Sequence, residues 1–254
     1  MTTRTKLNTK DGLPFLEGAR SRSSELFFSF KVLLEFIKGF RALHFTSPCI
    51  TVFGSARFKE DHVYYKAAYE FGKEIAKTGI TVMTGGGPGI MEAANRGAYE
   101  NGGFSAGCNI TLPHEQSPNP YMHQWTTMNF FFVRKVLLLK YSVAFVVLPG
   151  GVGTMDELFE TLTLIQTATI NDFPVIVYGT DYYKNLKELL EEMEQQKTIS
   201  SKDLDLVLFT DSIEDAMNHI QKYLKENYQV KRVKPRRIFL EKLFKQRTSE
   251  EASL

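Results

Sequence analysis

Apolar residues follow two alternating rhythms along the chain. Short continuous apolar runs predict strands: "CITVF" (49–53), "ITVM" (80–83), "FSAGCNI" (104–110), "VAFVVL" (143–148) and "PVIVYG" (174–179). A short strand at 125–130 and a last one at 204–210 extend the series. Between the strands, apolar positions three and four apart predict helices over 62–77, 89–101, 131–141, 154–168, 182–194 and 212–227. A Pro-rich loop at 111–120 interrupts the alternation. Strands that are apolar throughout are buried on both faces, so this alternation predicts a parallel sheet covered by helices on each side. The expected fold class is α/β, a single doubly wound parallel sheet. Ligands of such sheets bind beyond the carboxyl ends of the strands.

Ahead of the sheet, "SELFFSFKVLLEFIKGFRAL" (24–43) predicts an extra N-terminal helix with Ser24 as its cap. Its apolar face of Phe27, Phe30, Leu34 and Ile37 is expected to pack on the main domain, with a peripheral membrane helix as the alternative. Residues 1–23 read as a flexible leader, 24–228 as one nucleotide-binding α/β domain, and 229–254 as a basic tail. The tail segment 230–247 holds eight Lys or Arg against one Glu. It reads as a solvated end, because no stacking aromatics or nucleic-acid module accompany it. We therefore expect neither a nucleic acid nor a membrane partner.

Composition narrows the classes further. The chain has 254 residues, 43% hydrophobic and 24% charged, which suits a soluble globular protein. A net charge of +2 argues against polyanion binding by bulk electrostatics. Cys49 and Cys108 lie in apolar runs and read as buried free thiols in a reducing compartment. No apolar run reaches membrane-spanning length, and the N-terminus lacks a secretory apolar core. Cytoplasmic localisation is expected.

The candidate chemistry sits in three glycine loops, each after a strand. "PGGVGT" (149–154) offers the N–H groups of Gly150, Gly151 and Gly153, with the Thr154 hydroxyl as a further donor and helix cap. "TGGGPG" (84–89), with Gly86 and Gly87, is the second, and "FGSAR" (53–57), with Gly54, Ser55 and Arg57, is the third. Helix N-termini present unpaired N–H groups and partial positive charge, so such loops suit phosphate. None ends in Gly-Lys-Ser/Thr, and none completes G-x-G-x-x-G, which removes support for P-loop and dinucleotide readings.

Charged residues follow the loops. Asp156 and Glu157 are neighbours on a helix and point about 100° apart, so they cannot serve one spot. Glu157 and Glu160 share a face. Arg134 and Lys135 stand in the apolar run "FFFVRKVLLLK" (130–140), where an arginine needs an anionic partner. That partner is either a carboxylate such as Glu157 or a ligand.

"GGGPGIMEA", "VRK" and "PGGVGTMDEL" together resemble the LOG family, the cytokinin riboside 5′-monophosphate phosphoribohydrolases, relatives of which carry the label "lysine decarboxylase-like". The resemblance runs from about residue 49 to 179 and leaves out the leader, the 24–43 helix and the tail. It implies a Rossmann-like fold, a homodimer or larger assembly of dimers, and no metal or organic cofactor. The implied activity is hydrolysis of the N-glycosidic bond of a nucleoside 5′-monophosphate to free base and ribose 5-phosphate. The implied catalytic residues are Glu157 and Arg134. Substrate-binding positions are Gly150, Gly151, Val152, Gly153, Thr154, Met155, Asp156, Lys135, Glu115, Thr163, Gly54, Ser55, Gly86 and Gly87. Asp156 and Val152 differ from the plant pattern, which bears on base preference. A pyridoxal phosphate decarboxylase needs a Schiff-base lysine, and no residue pattern marks one. The alternative reading is a protein that binds or senses nucleotides without hydrolysing them, and turnover separates the two.

Overall fold

A computed structural model of the chain describes residues 21–46, 48–112 and 117–227. Seven parallel strands form one sheet: β1 (Cys49–Phe53), β2 (Thr81–Thr84), β3 (Ser105–Ile110), β4 (Gln124–Met128), β5 (Ser142–Val147), β6 (Val175–Tyr178) and β7 (Val207–Thr210). Their spatial order is β4-β3-β2-β1-β5-β6-β7. The chain moves outward from β1 to β4, then returns to the other side of β1 for β5 to β7. The topological switch point therefore lies between β1 and β5, where the loops after two adjacent strands diverge and leave a crevice. β1, β2 and β3 are buried at every position, the property that makes them continuous apolar runs in the sequence.

Helices cover both faces. One face carries α2 (Val63–Lys77), α3 (Ile90–Glu100) and α8 (Ile213–Asn227), packed through Phe71, Ile75, Ala94 and Ile220. The other carries α1 (Arg22–Leu43), α4 (Phe131–Lys140), α5 (Val152–Gln166) and α6 (Lys184–Gln195), packed through Leu43, Leu137, Leu158 and Tyr183. The short α7 (Ser201–Leu204) ends at Leu204, where a strand is expected to begin, and β7 starts only at Val207. Asp203 accepts from the Ser200 N–H (2.7 Å) and hydroxyl (2.9 Å), which nucleates that turn.

Two expectations about α1 are corrected. Its cap is Ser21, whose hydroxyl accepts the Ser24 N–H at 3.3 Å, so the helix starts two residues before Ser24. Its packed face is also different. Phe28, Val32, Phe36 and Phe40 lie against the core with Gly39 and Leu43 buried, whereas Phe27, Phe30, Leu34 and Ile37 are 44–63% exposed. α1 is apolar on nearly every side, so periodicity alone does not choose a face. Polar anchors choose it. Lys38 donates to the Thr127 carbonyl (2.5 Å), and Glu35 accepts from the Asn129 N–H (3.0 Å) and amide (2.6 Å). Residues 1–20 of the expected leader and the whole 229–254 tail lie outside the described residues. Among the described residues no helix is long and apolar enough to cross a membrane.

Candidate active site

The crevice at the switch point is a cavity of about 570 Å³. Phe53, Gly54, Ser55, Ala56, Arg57 and Phe58 line it from the end of β1. Gly150, Gly151, Val152, Gly153, Thr154 and Glu157 line it from the end of β5 and the start of α5. Met91, Arg134 and Tyr182 complete the wall.

Ser55 fastens the three glycine loops together. Its N–H donates to the Pro149 carbonyl (3.0 Å), and its carbonyl accepts the Ile90 N–H (3.0 Å) at the start of α3. Gly89, the N-cap of α3, has φ +69°, which only glycine adopts without strain, and a Cβ there would collide with the Ser55 carbonyl. The loop after β2 is braced on its other side by Asn119. Its N–H donates to the Gly86 carbonyl (2.9 Å) and its amide to the Gly87 carbonyl (3.1 Å).

The 148–151 loop has its carbonyls engaged and the N–H groups of its two glycines open. Its carbonyls are engaged in sequence: Leu148 by the Tyr183 hydroxyl (2.8 Å), Pro149 by Ser55, and Gly150 by the Tyr182 hydroxyl (2.8 Å). The Gly151 carbonyl accepts from Thr154 and Met155. No carbonyl of the turn is left to repel a negative group. The N–H groups of Gly150 and Gly151, and those of Val152 and Gly153 in the first turn of α5, donate to no carbonyl among the described residues. A Cβ at Gly151 or Gly153 would meet nothing within 4 Å, so space lies over these donors. α5 begins at Val152 with Gly151 as N-cap and no side-chain cap, which corrects the expectation that Thr154 caps it. An uncapped N-terminus keeps its donors for a ligand.

One turn into α5, the Glu157 side chain is only 9% exposed. Its Oε1 lies 3.7 Å from Arg134 Nη1, and Arg134 Nε donates to the Cys108 carbonyl at 2.9 Å. Arg134 thus both touches a carboxylate and lines the cavity. Burial pushes the Glu157 carboxyl up to about 7, and the attraction of Arg134 and Lys135 only partly opposes it. A group poised there can carry a proton in either direction near neutral pH.

The structure brings Glu157, Arg134, Gly54, Ser55 and residues 150–154 together around the cavity. It places other sequence-derived candidates elsewhere. Lys135 pairs with Asp156 (3.0 Å) and Glu160 (2.8 Å), clamping α4 to α5 outside the cavity wall. Met155 is half-buried and packs against the core. Thr163 is exposed and its hydroxyl donates to the Phe159 carbonyl. Gly86 and Gly87 are taken up by the Asn119 brace. Glu115 lies outside the described residues. Sequence reasoning passed over Phe58, Met91 and Tyr182. The signal for Tyr182 was its place just beyond β6, the strand next to β5.

Comparison with known proteins gives a family, two relatives and a structural neighbour. Residues 91–220, just over half of the chain, match the family model described as "Possible lysine decarboxylase". The chain is 28% identical over 173 residues to the cytokinin riboside 5′-monophosphate phosphoribohydrolase LOG3 of Arabidopsis thaliana, covering 67% of this chain and 80% of that protein. It is 28% identical over 180 residues to the Rhodococcoides fascians enzyme of the same name, covering 69% of this chain and 90% of that one. Among solved structures, the molybdenum cofactor binding protein of Rippkaea orientalis superposes with a TM-score of 0.56 at 23% identity, covering 70% of this chain and 98% of that one. That likeness shows a shared fold. Among the described residues no lysine lines the cavity.

Proposed function

The chain belongs to the LOG family, whose model carries the decarboxylase description, and from that premise we propose that it hydrolyses the N-glycosidic bond of nucleoside 5′-monophosphates. The products are the free base and ribose 5-phosphate. One arrangement carries this reading: a buried carboxylate, paired with an arginine, stands about one helical turn beyond N–H groups that donate to no carbonyl among the described residues, in a single cavity.

In this reading the 5′-phosphate sits on the N–H groups of 150–153, which fixes the ribose over Glu157. As the bond from C1′ to the base nitrogen breaks, positive charge builds on the ribosyl ring. The Glu157 carboxylate stabilises that charge and takes a proton from the attacking water, whose oxygen bonds to C1′. The proton then goes to the departing base nitrogen. Arg134 holds the carboxylate aimed and partly offsets the cost of its burial. Phosphate binding far from the reacting bond supplies positioning energy, so a monophosphate reacts where a nucleoside does not. The residues of this chain suffice for each step without a metal or organic cofactor.

Incubation with AMP, GMP, CMP, UMP and isopentenyl-AMP, with adenosine as control, tests the reading by chromatography of free base. Base release from at least one monophosphate and not from adenosine is expected. Binding of AMP without release from any of them would move the protein to the nucleotide-sensing class.

A homodimer is the assembly proposed with this activity. Its support is the exposed apolar surface of α1 together with Phe131, Phe132 and Val136 of α4. Light scattering is expected to give at least twice the 29.0 kDa chain mass, and a monomer would refute it. The two buried free thiols support a reducing, cytoplasmic setting.

A further inference from the structure

A phosphate monoester carries about −1.5 to −2 charge near pH 7. The N-terminus of α5 offers about half a positive charge to meet it. Only two cationic side chains line the cavity among the described residues, Arg57 and Arg134. Arg134 gives its Nε to the Cys108 carbonyl, and its charge is matched by the Glu157 carboxylate 3.7 Å away. Lys135, the other basic residue of its motif, is held by two carboxylates outside the wall. The cavity is therefore short of counter-charge for the ligand it is built around, unless Arg57 supplies it.

Arg57 has the properties this role needs. It is exposed, lines the cavity, and has no carboxylate within ion-pair distance among the described residues. Its main chain is fixed while its side chain is free. The Arg57 N–H donates to the Ser55 hydroxyl (3.1 Å), and Ser55 is bonded to the anion loop through Pro149. The next residue, Phe58, stacks on His62 with ring centroids 4.0 Å apart. A short, braced segment thus carries a free guanidinium beside a row of free N–H groups. Guanidinium forks bind phosphate oxygens in pairs, with geometric selectivity that a lysine lacks.

We propose that Arg57 is the phosphate-binding cation of this cavity, gripping the 5′-phosphate of the substrate together with the N–H groups of 150–153. The inference rests on the monophosphate reading of the site. It assigns to the loop after β1 the charge that a P-loop takes from its own lysine, and it makes this loop the part that tells a monophosphate from a nucleoside.

Ribose 5-phosphate is the probe, because it carries the phosphate and sugar but no bond to cleave. Calorimetry on the full chain is expected to show a Kd for ribose 5-phosphate about 10- to 100-fold weaker in Arg57→Ala. Arg57→Lys recovers part of the loss, and inorganic phosphate competes with the sugar phosphate in the wild type. With AMP, kcat/KM falls by at least a similar factor, the loss shared between KM and kcat because the phosphate grip also positions the ribose. Adenosine binding is unchanged, a result that general damage to the cavity does not give. Equal affinity of wild type and Arg57→Ala for ribose 5-phosphate overturns this assignment and leaves the hydrolase reading standing. A wild-type protein that binds adenosine but neither ribose 5-phosphate nor inorganic phosphate overturns both.

Discussion

Replacing Glu157 with Gln lowers kcat for AMP hydrolysis by about a thousand-fold and leaves the Kd for AMP within a few-fold of wild type. Gln keeps the shape and the hydrogen-bonding reach of the side chain. It loses the negative charge that faces the ribosyl cation and the basic oxygen that takes the water proton. The phosphate grip is untouched, so binding persists. The same carboxyl sets the acid limb of the pH profile. Burial raises it from an ordinary 4.5 to about 7, so kcat/KM falls as pH drops below about 7 and the carboxylate is protonated. Stability responds with the opposite sense. Between about pH 4.5 and 7 the folded chain binds the proton more tightly than the unfolded chain, so this group costs stability as pH rises through that window. Glu157→Gln removes the buried charge, and its Tm at pH 8 is expected at or above that of the wild type. Wild-type turnover in this variant would remove Glu157 from the mechanism.

The second large effect is expected from a residue that touches no substrate. A Cβ placed on Gly85 would collide with the Arg134 guanidinium and lie 2.7 Å from the Met91 sulfur. Gly85 does not occupy the left-handed backbone region, so alanine is acceptable to the main chain there. The methyl group instead displaces the far end of a long side chain. Gly85→Ala is expected to lower kcat about 10- to 100-fold with little change in Tm, following Arg134→Ala closely. The double variant should then lose little more than either single one. Additive losses in that cycle would show that the two residues act separately.

The strand series was readable because each strand is buried on both faces and so writes itself as an unbroken apolar run. The α3 and α5 starts were readable because glycine turns punctuate them. α7 escapes the pattern although Ser200 and Asp203 stand at capping-box spacing, because four residues show no helical period and Leu204, its last residue, reads as the start of the strand. The packed face of α1 is hidden from the sequence for a different reason. Its apolar residues surround the helix, and the choice of face belongs to Lys38 and Glu35, whose partners Thr127 and Asn129 lie some ninety residues away. The site shows the same division. Glu157, Arg134 and the 150–154 turn are local to motifs and could be named from them. Tyr182 and Phe58 reach the cavity only through the order of the strands. Lys135 and Asp156 sit within the same motifs, yet they bond to each other across two helices.

Ser55 joins the three glycine loops through its own N–H and carbonyl, with its hydroxyl needed only for the turn that carries Arg57. A junction made of main-chain atoms is silent in an alanine scan, since every amino acid but proline brings the same two groups. The link itself therefore persists with any side chain but proline at position 55, while the Arg57 turn still uses the serine hydroxyl. Proline alone cuts the link to Pro149 by removing the donor, and a backbone ester at this one bond would do the same without altering any side chain. The keystone of the cavity is thus a place in the chain more than an amino-acid type.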